Sequence, residues 1–149
     1  MVKIYLEINE INNVLDNIDG LSEKIVNNVA VDLLGNVKRE SPVDHGRLQG
    51  SWTIFDDGPN QKTVKSSANY AEYVNRGTGL YGPHKTLIRP TTKKVLKFTP
   101  NKGKFTGMTI FTPYSRGIKP NHYVERSMEK TERRIPELVI HSINQAKLG

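Results

Sequence analysis

The strongest hydrophobic pattern in the chain lies between residues 21 and 40. Apolar side chains recur there every three or four positions, as they do along one face of an α-helix; they are Leu21, Ile25, Val26, Val29, Leu33, Leu34 and Val37. Ser22 is a candidate cap, and Glu23 suits the first turn because a carboxylate interacts favourably with the positive end of the helix dipole. The pattern predicts a helix over Leu21–Glu40, whose apolar face packs most simply against a sheet.

Two weaker patterns precede this helix. Apolar residues alternate with others over residues 4–8, which predicts a short strand. Helical spacing then begins at Ile11 and continues through Val14, Leu15 and Ile18. Asp19-Gly20 is a candidate break or bend between this pattern and the long helix.

The middle third of the chain has the pattern of two β-hairpins. In each, two apolar runs flank a cluster of turn residues: Trp52–Phe55 and Thr63–Ser66 flank Asp56–Asn60, and Lys94–Phe98 and Met108–Phe111 flank Pro100–Lys104. Leu96 and Phe98 share one face of their strand, whereas Val95 and Lys97 lie on the other. This alternation predicts an antiparallel sheet that is buried mainly on one side.

Helical spacing returns in the last third of the chain. The apolar positions are Val124, Met128, Ile135, Leu138, Val139, Ile143 and Ala146. Pro120-Asn121 precedes them as a helix start, and Pro136 lies inside the pattern. Because proline lacks a backbone N–H, a kink or a break is expected near Arg134. The order of elements predicts an α+β fold in a single domain over residues 1–149, with an antiparallel β-sheet packed by the long N-terminal helix and by the C-terminal helix.

Length and composition restrict the class of protein. A chain of 149 residues fits one domain and is large enough to bury a core without cross-links. It contains no cysteine, which excludes disulfides and thiolate metal sites. The first residues lack the apolar core of a signal peptide, and no apolar run approaches the roughly 18 residues of a membrane span. We expect a soluble, intracellular protein.

Charge is distributed unevenly along the chain. Ten basic residues and no acidic residue occur between Glu72 and Glu125, whereas the remaining sequence carries 12 basic and 15 acidic residues, a net charge of −3. Such a basic segment can attract a polyanion, or it can let copies of one protein dock basic side to acidic side. The candidate interface or DNA-facing residues are Lys85, Arg89, Lys93, Lys94, Lys97, Lys102 and Lys104. For the loop residues Lys102 and Lys104, solvated surface charge is the plainer interpretation.

The sequence gives little support for catalysis. The four histidines, His45, His84, His122 and His141, are scattered, and no two have the spacing that places two metal ligands on one helix face. Gly77-Thr78-Gly79 lacks the lysine and the preceding buried strand of a phosphate-binding loop. We expect no enzyme activity, no cofactor and no metal; a metal between His84 and His122 would contradict that expectation.

The segment Ser41–Ser51 combines several turn signals. Pro42 disfavours the helical conformation in the residue before it and should end the long helix. Asp44 can cap a following short helix, Gly46 permits a tight turn, and Arg47 adds a charge-assisted donor. Taken alone, the segment is most simply an elbow between helix and sheet.

Two later segments complete a recognisable order. Residues 69–79 place two tyrosines and a valine on one side of a helical turn that glycine ends, and residues 117–123 lead through a proline to an aromatic residue. The order Pro-Val-Asp-x-Gly-x-Leu, Tyr-Ala-x-Tyr-Val-x-x-Gly-Thr and a proline–aromatic helix start resembles a family of neck, head–tail joining and tail-completion proteins of tailed bacteriophages. The matching positions are Pro42, Val43, Asp44, Gly46, Arg47, Leu48, Tyr70, Ala71, Tyr73, Val74, Gly77, Thr78, Pro120 and Tyr123.

The sequence departs from the family pattern at three places. His45 stands where the family commonly has a small hydroxyl residue, and Asn75-Arg76 replaces a usual acidic position. Residues 120–123 read Pro-Asn-His-Tyr instead of the more typical Pro-x-Pro-Phe. These departures leave the expected fold intact but concern the surfaces that would meet partners.

The resemblance implies a structural virion protein without a cofactor. Such proteins form a ring at the neck, a hexamer if the ring follows the symmetry of the tail, in a tail-completion or tail-terminator role. One face of the ring meets the neck or connector protein and the other meets the tail tube protein, and phage DNA passes through the lumen. The protein would assemble in the host cytoplasm, away from any membrane. The alternative interpretation is a nucleic-acid-binding module that uses the basic residues of 76–119.

Overall fold

A computed structural model of the protein describes residues 2–7, 20–43 and 45–148. The elements, in chain order, are β1 (Lys3–Glu7), α1 (Leu21–Glu40), α2 (Arg47–Gly50), β2 (Trp52–Gly58), β3 (Gln61–Ser66), α3 (Ala71–Arg76), a 3-10 turn (Gly79–Tyr81), β4 (Leu96–Phe98), β5 (Ile110–Thr112) and α4 (Tyr123–Leu148). The predicted α+β class, with an antiparallel sheet, a long N-terminal helix and a C-terminal helix, is confirmed.

The chain divides into two compact units. The core unit comprises Met1–Ala71 and His122–Gly149, and the basic unit comprises Glu72–Asn121. The basic unit carries ten lysines and arginines, and Glu72 is its one acidic residue. The single domain expected over residues 1–149 stays a prediction.

The sheet of the core unit has three antiparallel strands in the order β1-β3-β2. Val64 in the middle strand pairs with Ile4 of β1 and with Ile54 of β2. Val64, Ile4 and Trp52 are buried, and α1 packs across the strands. The expected packing of the long helix on a sheet is therefore present.

The β2–β3 hairpin is longer than the sequence predicted. Asp56 and Gly58 belong to β2, with a register shift between them, so that the turn shrinks to two residues. The Asp56 carboxylate accepts a hydrogen bond from the Gly58 N–H at 3.1 Å and forms an ion pair with Lys62 at 2.6 Å. This bulge explains why residues typical of turns continue a strand here.

Helix α1 has the predicted bounds but not the predicted cap. Its N-cap is Gly20, whose φ of 70° is left-handed, and no side chain caps the first turn. Ser22 therefore lies inside the helix, and the prediction that it caps was wrong; Glu23 does lie in the first turn. The helical pattern over residues 11–18, the candidate break at Asp19 and the last position of the predicted first strand, Ile8, lie outside the described residues.

Helix α4 runs antiparallel to α1 and packs along it. Their shared apolar cluster contains Leu21, Ile25, Val29 and Leu138, with Ile135, Val139, Ile143 and Ala146 against it. The helix continues through Pro136, which excludes the break expected near Arg134, while the kink that was the other expectation stays a prediction. Contacts with α1 on both sides of the proline hold the helix together across the one backbone hydrogen bond that proline cannot make.

The second predicted hairpin pairs as expected but forms a separate sheet. β4 and β5 belong to the basic unit, with Leu96 opposite Thr112 and Phe98 opposite Ile110. Both strands are three residues long. No residue of either strand is buried, so the prediction that this sheet is buried mainly on one side was wrong.

Candidate interaction surfaces

The start of the Ser41–Ser51 segment ends α1 as predicted. Ser41 has extended backbone (φ −61°, ψ 130°), the conformation that a following proline favours. Both its N–H, at 3.0 Å, and its hydroxyl, at 2.6 Å, donate to the Val37 carbonyl. These two bonds satisfy an end-of-helix acceptor that would otherwise be buried without a partner.

The rest of the segment turns through two consecutive left-handed residues, His45 (φ 57°) and Gly46 (φ 70°). Histidine tolerates this conformation better than most residues with a side chain. Gly46 is the N-cap of α2 and carries no side-chain cap bond, while Asp44, the predicted cap, lies outside the described residues. Leu48 is buried and anchors α2 in the core unit.

Two exposed members of the segment, Val43 and Arg47, face solvent. At the end of the segment, the Ser51 hydroxyl donates to the Leu48 carbonyl at 2.6 Å and lies 2.6 Å from the Ser66 hydroxyl of β3. The elbow interpretation thus accounts for Ser41, Leu48 and Ser51. It does not account for the exposure of Val43 and Arg47, which are therefore available for an interface.

An aromatic contact in the core unit brings together Trp52, which follows the first matching segment, and Tyr123, which belongs to the third. The rings of Trp52 and Tyr123 meet edge to face, with centroids 6.1 Å apart and an interplanar angle of 78°. The Tyr123 hydroxyl donates to the Ala71 carbonyl at 3.2 Å. Burial raises the pKa of Tyr123 to about 12 because the phenolate would lose its hydration. The expected helix start at residues 120–123 therefore places a core residue at the first position of α4.

A row of polar residues on α1 faces α4. The row consists of Asn28, Asp32, Asn36 and Glu40, spaced four apart. Asn28 donates to the Ser142 hydroxyl at 2.8 Å and Asn36 donates to the Thr131 hydroxyl at 2.9 Å. Asp32 pairs with Arg134, and Glu40 pairs with Lys130 and with Arg126, the latter at 2.9 Å. This polar seam fixes the register of the two helices.

Sequence reasoning missed the polar seam because it followed apolar residues only. Ser127, Thr131 and Ser142 of α4 are buried, whereas Met128, which belongs to the apolar pattern, is partly exposed. The four-residue spacing of the polar row on α1 was the available signal. At its solvent end, hydrogen bonds from Lys130 and then from Arg126 lower the pKa of Glu40.

In the basic unit, two chain segments cross at unusually short range. The Thr78 N–H donates to the Ile118 carbonyl at 2.9 Å, and the Leu80 N–H donates to the Arg116 carbonyl at 2.8 Å. A Cβ on Gly117 would lie 2.1 Å from the Thr78 carbonyl oxygen, and one on Gly79 would lie 2.4 Å from the Arg116 carbonyl oxygen. Only glycine fits where the backbones approach this closely.

This glycine crossing explains part of the second matching segment. Gly77 ends α3 in a left-handed conformation (φ 78°), with its N–H bonded to the Tyr73 carbonyl at 2.9 Å. A Cβ there would lie 2.7 Å from the Ile118 carbonyl oxygen. The predicted end of the helical turn is confirmed, and the close approach to residues 116–118 was not visible in the sequence.

Beyond the crossing, the chain leaves as a long hairpin. Ile88 and Ser115 exchange two backbone hydrogen bonds of 2.9 Å, and β4 and β5 pair further out. We call residues 89–114 the hairpin arm. No residue of the arm is buried, and it contains six basic and no acidic residues.

The structure gathers most of the predicted basic residues in the hairpin arm. Arg89, Lys93, Lys94, Lys97, Lys102 and Lys104 all belong to it, and Lys85 lies before it with a left-handed backbone (φ 48°). The Lys97 ammonium lies 5.9 Å from the Phe111 ring centre, and the Lys104 ammonium lies 5.9 Å from that of Phe105. Positive charge and apolar surface are therefore interleaved along the arm.

Beside the arm, the basic unit contains an open pocket of about 280 Å³ lined by Tyr73, Arg76, Gly79, His84 and Ile88, among others. Within residues 2–7, 20–43 and 45–148, no group of three or more His, Asp or Glu side chains is placed to hold a metal ion. In that same part of the chain, no helix is both long enough and apolar enough to cross a membrane.

Residues 8–77 of the chain match the model of a family described as "Bacteriophage HK97-gp10, putative tail-component". No curated protein and no solved structure matches the chain. The family match includes the first matching segment and most of the second. It confirms the resemblance to a tailed-phage family and supports a structural role in the virion.

Proposed function

We propose that this chain, whose residues 8–77 match the model of a phage tail-component family, forms a ring at the neck of the virion and joins the head or connector to the tail tube. In this role it is a tail-completion or tail-terminator component. The ring consists of identical copies, six if it follows the symmetry of the tail, and phage DNA passes through the lumen without sequence-specific contacts. One face of the ring meets the neck protein and the other meets the tail tube protein.

One structural observation supports an interface role above all others, namely the exposed hairpin arm. Its larger apolar side chains have 39–62% of their surface exposed; they are Val95, Phe98, Phe105, Met108, Phe111 and Tyr114. An apolar surface of this kind on a small protein marks a contact with another molecule. A protein that acts by joining others needs such a surface and needs no catalytic group.

The core unit is itself held together by two kinds of contact. α1 is fixed to the sheet by apolar packing and to α4 by the polar seam. Ring closure by identical copies uses heterologous contacts, in which two different surfaces of the same protein meet. The exposed Val43 and Arg47 and the hairpin arm are candidates for such surfaces.

The test is a virion lacking this protein. Loss of the protein should give filled heads and tails that remain unjoined in electron micrographs, and a plasmid copy should restore joined particles and plaques. Joined, infectious particles in its absence would disprove the proposal. Complementation with a chain in which Lys93, Lys94 and Lys97 are changed to glutamate then tests whether the arm is needed to join heads to tails.

Nucleic-acid binding by residues 76–119 is the second candidate function. The observation that favours it is the six exposed basic residues of the arm with no acidic residue among them. It predicts affinity for duplex DNA that falls steeply with salt, because lysine and arginine side chains that bind the phosphates displace the salt cations condensed there. DNA affinity that does not change when Lys93, Lys94 and Lys97 are reversed in charge would exclude it.

A further inference from the structure

The hairpin arm has two exposed faces and no sheet or helix against either one in the basic unit. Leu96, Phe98 and Ile110 belong to one face, and Lys97 and Phe111 belong to the other. A two-stranded ribbon is marginally stable in water by itself. A ribbon of this kind gains stability when another molecule packs against it.

The side chains of the arm fit a protein better than a nucleic acid. Phosphates would neutralise the lysines but would leave Val95 and Met108 in water, since the phosphate backbone offers them no apolar surface. Two of the lysines also lie near the arm's own aromatic rings. An acidic protein segment with apolar side chains can both neutralise the lysines and cover the apolar side chains of the arm.

The described carboxylates of the core unit are for the most part already engaged. Ion pairs within the unit join Asp32 to Arg134, Glu40 to Arg126 and Lys130, Asp56 to Lys62, Glu129 to Arg133 and Glu137 to Arg134. Recruiting them to bind an arm would break these pairs. A contact made by other acidic residues leaves these pairs intact.

The sequence contains one such run, from Glu7 to Asp19. It carries four carboxylates and no basic residue, and apolar residues recur among them. The charges oppose those of the arm, which has six cations and no anion. No separate stretch of thirteen residues elsewhere in the chain carries four carboxylates without a basic residue.

We propose that the acidic run Glu7–Asp19 of one copy binds the hairpin arm of a second copy. The contact is heterologous, so it repeats from copy to copy and closes into a ring. This inference rests on the proposed function, for which it names the surfaces that meet. Lysine–carboxylate attraction steers and orients the two segments, and burial of the arm's apolar side chains holds them.

Charge reversal on each side, followed by mixing, tests the contact in the full-length chain. The arm variant carries Lys93→Glu, Lys94→Glu and Lys97→Glu, and the acidic-run variant carries Glu10→Lys, Asp16→Lys and Asp19→Lys. Self-association is measured by sedimentation velocity over a concentration series. Each variant alone should associate at least about tenfold more weakly than the wild type, and an equimolar mixture should recover much of the loss because the reversed charges attract again.

A matched control changes the same number of charges in the same unit, outside the arm. It carries Arg76→Glu, Arg116→Glu and Lys119→Glu, and its self-association should stay within a few-fold of wild type. Circular dichroism and thermal melting establish that every variant is folded. A synthetic peptide of residues 6–19, titrated into the full-length wild type, should bind, and should bind the arm variant at least about tenfold more weakly.

Several results would overturn the inference. They are a wild type that stays monomeric throughout the series, an arm variant that associates like the wild type, and a mixture that fails to recover. Loss of duplex DNA binding in the arm variant with unchanged self-association would assign the arm to nucleic acid instead. Because the virion test does not depend on which surfaces meet, unjoined particles together with a failed mixing experiment would refute this contact and leave the proposed function standing.

Discussion

Gly117 is the position where one added methyl group should most disturb the basic unit. Its φ of +88° costs an L-residue about 1–2 kcal/mol. A Cβ there would lie 2.1 Å from the carbonyl oxygen and 2.4 Å from the carbonyl carbon of Thr78, which are backbone atoms that cannot rotate away. Gly117→Ala therefore forces the two segments of the glycine crossing apart.

The structure gives both the expected loss of stability in Gly117→Ala and a control variant for it. Forced overpacking costs about 1–3 kcal/mol, which with the conformational cost gives about 2–5 kcal/mol for Gly117→Ala. Gly103 has nearly the same φ, +89°, but no atom lies within 4 Å of its added Cβ. Gly103→Ala therefore carries the conformational cost of about 1–2 kcal/mol alone, and the difference between the variants isolates the close approach.

Amide hydrogen exchange measures the loss of stability of each variant at individual backbone positions. The N–H groups of Thr78 and Leu80 donate to carbonyls across the crossing, and just beyond it the N–H groups of Ile88 and Ser115 each donate to the other residue's carbonyl. Gly117→Ala should speed exchange at these four amides by about 30-fold or more, the factor that corresponds to 2 kcal/mol. Gly103→Ala should change them by a few-fold at most, and exchange in β3 of the core unit should change in neither variant.

Two results would refute this reasoning. One is wild-type exchange at Thr78 and Leu80 in Gly117→Ala, which would mean that the segments tolerate a side chain where they cross. The other is equal acceleration in both glycine variants. In that case backbone conformation, and not the short distance to Thr78, would account for the glycines.

Three further predictions concern the core unit. Asn36→Ala should lower the free energy of unfolding by about 1–3 kcal/mol in urea titrations, because the buried Thr131 hydroxyl loses its donor, whereas Asn27→Ala on the exposed face of α1 should change it by less than about 0.5 kcal/mol. Tyr123→Phe should cost about 1 kcal/mol by the same measurement, since the Ala71 carbonyl loses its hydrogen bond; unchanged stability would contradict the burial of that acceptor. The pKa of Glu40 is lowered in the folded state from an ordinary value of 4.5, so its stabilising effect is complete above that pH and is lost as the pH falls through the lower folded value. The stability difference between wild type and Glu40→Gln should therefore be larger at neutral pH than at about pH 3, and a difference that is the same at both would exclude a contribution from this ionisation.

Elements with strong local signals were predictable from the sequence. α1 has a continuous apolar stripe and a proline just after its end, and these two features predicted both of its bounds. The pairing partners in both hairpins were also predictable, because turn residues separate each pair of strands. The bulge in β2 was not, since Asp56 and Gly58 favour turns unless a partner such as Lys62 holds them in a strand.

Features that depend on distant partners could not be predicted. The polar seam needs Asn36 and Thr131, 95 positions apart, to meet. Gly77, Gly79 and Gly117 signal turns when read locally, and their short distances to other backbone atoms arise only from the crossing. The concentration of charge in residues 89–114 was visible in the sequence, but the exposure of both faces of the β4–β5 ribbon was not.

The Ile88–Ser115 pair has a consequence for protein engineering. Residues that exchange two hydrogen bonds in an antiparallel pair have Cα atoms about 5.5 Å apart, a gap that a two-residue turn closes. An Asn-Gly linker between Ile88 and Ser115 would therefore delete residues 89–114 and leave the bonds of the crossing in place. The same two positions would accept a hairpin taken from another protein, so this pair is a graft point at which one hairpin can be exchanged for another while the bonds of the crossing are kept.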